Sequence, residues 1–125
     1  MKNILYFLLL LGAAANGQSV NRDIRYMTLG GALHPLQANM DIRHYDLSLK
    51  VDLNQKTILG FAEVKLVLQK RTDSIFFDLV HLLTVSKVTA NKKPLHFEQK
   101  DDKLFITSGK GFEAGLHTLK IEYGG

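Results

Sequence analysis

Five histidines, His34, His44, His81, His96 and His117, are the side chains of this sequence best suited to hold a metal or move a proton. A zinc site on a helix needs two of them on one face, at i and i+4, with a glutamate beside the first as base. No two of the five stand four residues apart, and none is followed by Glu. His81, His96 and His117 are too scattered to read as a ligand set. His44 falls on the outward face of an alternating segment, where a surface histidine paired with a neighbouring carboxylate is expected. Tyr45 falls on the inward face and reads as a core tyrosine with its hydroxyl at the rim. Asp101-Asp102 looks like a carboxylate pair, but adjacent turn residues point apart, so both read as solvated. Gly109-Lys110-Gly111 lacks the glycine spacing and following helix of a phosphate loop. Ser19, Ser48, Ser74, Ser86 and Ser108 sit in no nucleophile elbow. The sequence therefore assigns no catalytic, cofactor-binding or metal-binding residue.

The elements that would position these side chains are strands. From Asp41 the hydrophobic period is two: Tyr45, Leu47, Leu49 and Val51 share one face, and Asp46, Ser48, Lys50 and Asp52 share the other. Asn54-Gln55-Lys56 turns the chain. A second strand runs from about Thr57 through Gly60 to Leu68, with Ala62, Val64, Leu66 and Leu68 inward, forming an antiparallel hairpin with the first. Ile75, Phe77 and Leu79 alternate next, leaving Phe76 on the opposite side as an expected exposed apolar spot. Leu83, Val85 and Val88 continue the apolar series past a bend at Val80-His81. Asn91 to Pro94 is a turn; Leu95 and Phe97 start a short strand that Asp101-Asp102 reverses into Leu104 and Ile106. Ser108 to Gly111 reads as a glycine-rich loop before a last strand through Leu119, Ile121 and Tyr123. No segment carries a 3.6-residue stripe. Short strands punctuated this regularly predict an all-β fold, an antiparallel β-sandwich or open barrel.

The first forty residues stand apart. Lys2, the apolar run Ile4 to Leu11 and the small residues Ala13, Ala14, Ala15 and Gly17 have the layout of a secretory signal, predicting a signal peptide over residues 1–17 with cleavage before Gln18. The apolar run falls short of the ~20 residues that cross a bilayer as a helix. Export, periplasmic or secreted, with no stable membrane span after cleavage, is the expectation. Residues 18–40, containing Gly30-Gly31 and His34-Pro35, read as an irregular leader. The chain has no cysteine, so the exported fold must stand without disulfides. Removing residues 1–17 takes one lysine from sixteen basic residues and none from twelve acidic ones, leaving +3. That charge is dispersed, which argues against a nucleic-acid partner.

Taken in order, Asp41-Ile42, His44-Tyr45-Asp46-Leu47-x-Leu49, Asp52, Gly60 four residues before Val64, Phe77-Asp78-Leu79, Leu83-x-Val85-x-x-Val88, Asn91, Leu104-x-Ile106 and Gly115-x-x-x-Leu119-x-Ile121-x-Tyr123-x-Gly125 form one pattern. It resembles the opening of the N-terminal β-domain in peptidase family M1, the aminopeptidase N-like gluzincins, over residues 41–125. The resemblance implies a saddle-like β-domain that stands in front of a zinc-bearing catalytic domain. Its G-x-M-E-N and H-E-x-x-H motifs, which the resemblance would assign to amine recognition and zinc binding, occur nowhere in this sequence. Zinc is therefore expected only in a full-length family member, and the chain alone is expected to be inactive. The resemblance also implies that Gly125 falls mid-domain, so residues 41–125 are expected to be an incomplete domain of a fragment. The partner would be the missing catalytic domain or a full-length paralogue. The alternative is a stand-alone secreted β-sandwich that binds or adheres, without enzymatic activity.

Overall fold

A computed structural model describes residues 32–125; the signal-peptide segment and most of the leader lie outside the described residues. One helical turn, α1 (Pro35–Ala38), precedes eight strands: β1 (Met40–Asp52), β2 (Thr57–Leu68), β3 (Thr72–Asp78), β4 (Thr84–Ala90), β5 (Lys93–Pro94), β6 (His96–Lys100), β7 (Lys103–Phe112) and β8 (Gly115–Gly124). They form a five-stranded sheet in the order β1-β2-β8-β4-β5 and a three-stranded sheet in the order β3-β7-β6. Every pairing is antiparallel. The all-β architecture expected from alternation is therefore present.

Period-two patterning explains the core. Along β2, Ala62, Val64, Leu66 and Leu68 are buried, and their partners Leu119 and Ile121 on β8 continue the same face. Ile75, Leu104 and Ile106 of the smaller sheet close over them, and the two faces merge into one cluster. Each fully buried Leu or Ile contributes roughly 1.5–3 kcal/mol by removal of apolar surface from water. The hairpins are closed by local chemistry. Asn91-Lys92, at φ of 50° and 64°, and Asp101-Asp102, at 51° and 61°, are two-residue loops with both positions left-handed. That is the type I′ geometry whose twist matches the flanking strands. Pro94, which lacks a ladder donor, sits on β5 at the edge of the larger sheet.

Four local features differ from the sequence reading. His34-Pro35 starts a helical turn: Pro35 occupies a first-turn position, and the His34 ring Nδ1 accepts from the Leu36 N–H at 3.2 Å. Phe76 is not an exposed spot but 2% accessible. Its ring lies between those of His34, at 4.6 Å, and Phe105, at 5.0 Å, so the helical turn roofs the face that alternation leaves bare. Ser108 to Gly111 is not a loop. It belongs to β7, whose partners jump from Ser74↔Thr107 to Thr72↔Phe112 across a bulge, with Gly111 at φ 73°. Finally, the bend at Val80-His81 is a change of sheet: β3 lies in the smaller sheet and β4 in the larger. The three-residue step from Val85 to Val88 matches a register shift between Val85 and Lys87.

Candidate interaction surface

The strand register lays the inner face of the larger sheet out in rows. Tyr45, Val64, Leu119 and Ala90 form one row; Leu47, Ala62, Ile121 and Val88 the next; Leu49, Gly60, Tyr123 and Val85 the third. All three rows are apolar from β4 to β1, apart from the phenols and the glycine. The smaller sheet covers them only in part. Val64 and Leu119 are 1% and 0% accessible, whereas Tyr45, Leu47, Leu49 and Val51 on β1 are 51%, 58%, 49% and 58% accessible. Alternation puts these four on one face and predicts a core tyrosine at Tyr45. The structure corrects this: Tyr45 is half-exposed, because the covering sheet does not reach the β1 end of the face.

Where the cover stops, a groove of about 350 Å³ opens between Tyr45 and Leu47 of β1 and the flank of the smaller sheet at Phe77, Leu79 and Leu83. A second cleft of about 570 Å³ adjoins it through Tyr45, Phe77 and Asp78, and is walled by Leu33, His34 and Met40. The polar groups at this junction are few. The Asp78 carboxylate accepts from Gln37 Nε2 at 2.7 Å. Burial of the phenol pushes the Tyr45 pKa up from its ordinary 10.0. α1 and its cap hold this end of the groove in place. The Asn39 side chain donates to the Lys70 carbonyl and accepts from the Lys70 N–H, both at 2.8 Å, tying the helical turn to the end of β2.

The other residues singled out in the sequence are dispersed. His34 caps α1, His44 lies on the open edge strand β1, and His96 is exposed on β6. The His117 ring Nε2 lies 2.7 Å from the Glu113 carbonyl and meets the Phe112 ring edge-on. His81 pairs with Asp102, Nδ1 to Oδ1, at 2.7 Å. That last contact corrects a second expectation. Asp101 is exposed, but Asp102 is 7% accessible, and its Oδ1 also accepts from the His81 backbone N–H. The type I′ turn rotates the second aspartate inward, onto the segment where the chain changes sheets. Adjacent side chains do point apart, and one of them points into the protein. Among the described residues no three His, Cys, Asp or Glu side chains group so as to hold a metal ion. The groove itself brings together apolar walls, the Asp78 carboxylate and two phenols, Tyr45 and Tyr123. That combination can bind apolar surface; it contains no paired nucleophile and base.

Residues 42–125 match the family model described as the peptidase M1 N-terminal domain. The chain belongs to this family. Among solved structures it is similar to an M1 zinc metallopeptidase from Deinococcus radiodurans, at 23% identity and a TM-score of 0.63, covering 71% of this chain and 21% of that one. It is also similar to the native LTA4 hydrolase of yeast, at 22% identity and a TM-score of 0.57, covering 70% of this chain and 14% of that one. At these identities the likeness shows the fold. The chain spans about a fifth of the length of the first of these relatives. A search of curated proteins gives no match. The zinc of the M1 peptidases does not fit the described residues here, because the histidines lie on separate elements and no carboxylate cluster joins them.

Proposed function

We propose that this chain supplies the non-catalytic amino-terminal β-domain of an exported, zinc-dependent aminopeptidase-like protein. The observation that carries this reading is the inner face of the larger sheet. It stays apolar across β1, beyond the reach of its cover, as a face that further polypeptide completes. The match to the M1 N-terminal domain over residues 42–125 supports the same reading. In this role the domain contributes shape and apolar contact, while removal of N-terminal residues from peptides is the work of a catalytic domain carrying the zinc. A signal peptide over residues 1–17 directs export.

The test is to precipitate the native protein from the exported fraction with antibodies against residues 41–125. Chelator-sensitive cleavage of an aminoacyl reporter in the precipitate, and a mature N-terminus at Gln18, are the expected results. A precipitate free of such activity, holding a single small chain, would instead favour a stand-alone secreted binding module.

A further inference from the structure

β1 ends the larger sheet, and its edge is open among the described residues. The edge is regular where it matters. After a register shift between Ile42 and His44, the ladder to β2 runs without interruption from His44 to Asp52. An edge of this length usually carries a bulge, a proline or a lone lysine that blocks further pairing. Lys50 is the lysine here, and it has a complement on its own strand. In an antiparallel pairing of β1 with a second β1 about a twofold axis at Ser48, Lys50 faces Asp46 of the second copy and Asp46 faces its Lys50. Tyr45 then faces Val51, Leu47 faces Leu49, and His44 faces Asp52.

The charges within the sheet favour that register. Asp46 stands opposite Glu63 of β2. Like groups opposite each other destabilise a ladder, although Lys120 of β8 flanks Glu63 on its far side. Among the described residues Asp46 and Lys50 have no ion-pair partner, and both are exposed. Asp52 is partly engaged, since its Oδ1 accepts from the N–H groups of Asn54 and Gln55, so the Asp46–Lys50 pairs carry the selectivity. The backbone phase agrees as well. The Ser48 carbonyl oxygen points at Gly60 of β2, so by alternation Leu47 and Leu49 turn their N–H and C=O groups to the open edge. Leu47 against Leu49 would then be a hydrogen-bonded pair, and Ser48 would meet its own copy across a close, non-hydrogen-bonded position. The apolar row Tyr45, Leu47, Leu49 and Val51 would run on across the axis.

We propose that β1 is a self-complementary edge, and that two copies of this chain associate through it in the register centred on Ser48. This inference is independent of any peptidase role. The full chain is expected to show a concentration-dependent monomer–dimer equilibrium in sedimentation velocity. Lys50→Asp sets Asp against Asp twice across the axis and should weaken the dimer about tenfold or more. Adding Asp46→Lys to Lys50→Asp restores both pairs and should return the dimer to within about threefold of the parent. Because the chain has no native cysteine, Ser48→Cys should yield a disulfide-linked dimer on mild oxidation, and Ser86→Cys on β4 should not. All four substituted positions are exposed, so folding is preserved and each variant is checked by its circular dichroism. A chain that stays monomeric throughout overturns the proposal, whether another segment of polypeptide occupies the edge or none does. A dimer indifferent to Lys50→Asp, or one that Ser48→Cys fails to cross-link, overturns it equally.

Discussion

Replacing Gly60 by alanine should damage the fold far more than the loss of one glycine suggests. A Cβ at this position would lie 1.9 Å from the Ser48 carbonyl oxygen, 2.9 Å from the Ser48 carbonyl carbon and 3.1 Å from the Leu49 Cα. All three atoms are backbone, and real Cβ contacts essentially never fall below 3.0 Å, so β1 must move away from β2. Opening the ladder there weakens one or two hydrogen bonds, each worth about 1 kcal/mol net. Overpacking strain adds about 1–3 kcal/mol. The reduced entropy of the unfolded chain offsets about 0.4–1 kcal/mol. The balance is a loss of about 1–5 kcal/mol with a midpoint near 3 kcal/mol, or roughly 12–24 °C in Tm at that midpoint for a domain of this size. Thermal melts by circular dichroism, with Gly109→Ala alongside, provide the assay. Gly109 has nothing within 4 Å of a Cβ, so its alanine variant should stay within about 0.5 kcal/mol of the parent. Equal melts for the parent and Gly60→Ala would refute the close approach of β1 and β2 at this row.

Phe76→Ala should cost about 3–5 kcal/mol in urea unfolding, because the ring is buried between His34 and Phe105; a cost below about 1 kcal/mol would mean that α1 does not roof it. Asp102→Ala should cost about 1–3 kcal/mol by leaving the His81 N–H without its carboxylate acceptor, while Asp101→Ala at the exposed neighbour should cost less; the reverse order would contradict the inward turn. Burial raises the Tyr45 pKa, so the folded chain keeps a proton that the unfolded chain releases above pH 10.0. Tyr45 therefore supports stability below that pH, and its contribution is lost as pH rises through the folded value. The difference in ultraviolet titration between the parent and Tyr45→Phe should place its phenol above 10.0, and ionisation at or below that value would contradict the half-buried setting.

Most strands were legible because one side of each is covered by protein. Ala62, Val64, Leu66 and Leu68 announce β2, and they are buried as their alternation requires. What alternation cannot supply is the identity of the cover. Tyr45 reads as core because it shares an apolar face with Leu47, Leu49 and Val51, yet the burial of that face depends on how far a separate sheet extends. Phe76 shows the converse. Its outward face was legible, but the cover is a helical turn that begins at a dipeptide read as a breaker. Asp102 was missed for a backbone reason: a type I′ turn places its two side chains differently, and no residue type marks which one turns inward. The paired φ values above zero follow from a two-residue loop between twisted strands, a signal present in the spacing of Phe97 and Leu104. The groove was not legible at all, since it arises where two sheets fail to coincide.

The central claim is that this chain supplies a β-domain face and no catalytic metal chemistry. It is tested most directly by titrating the purified full chain with Zn²⁺ in a calorimeter while an aminoacyl reporter follows hydrolysis. No stoichiometric zinc binding and no chelator-sensitive cleavage are expected. One zinc bound per chain, together with cleavage that a chelator abolishes and zinc restores, would contradict it.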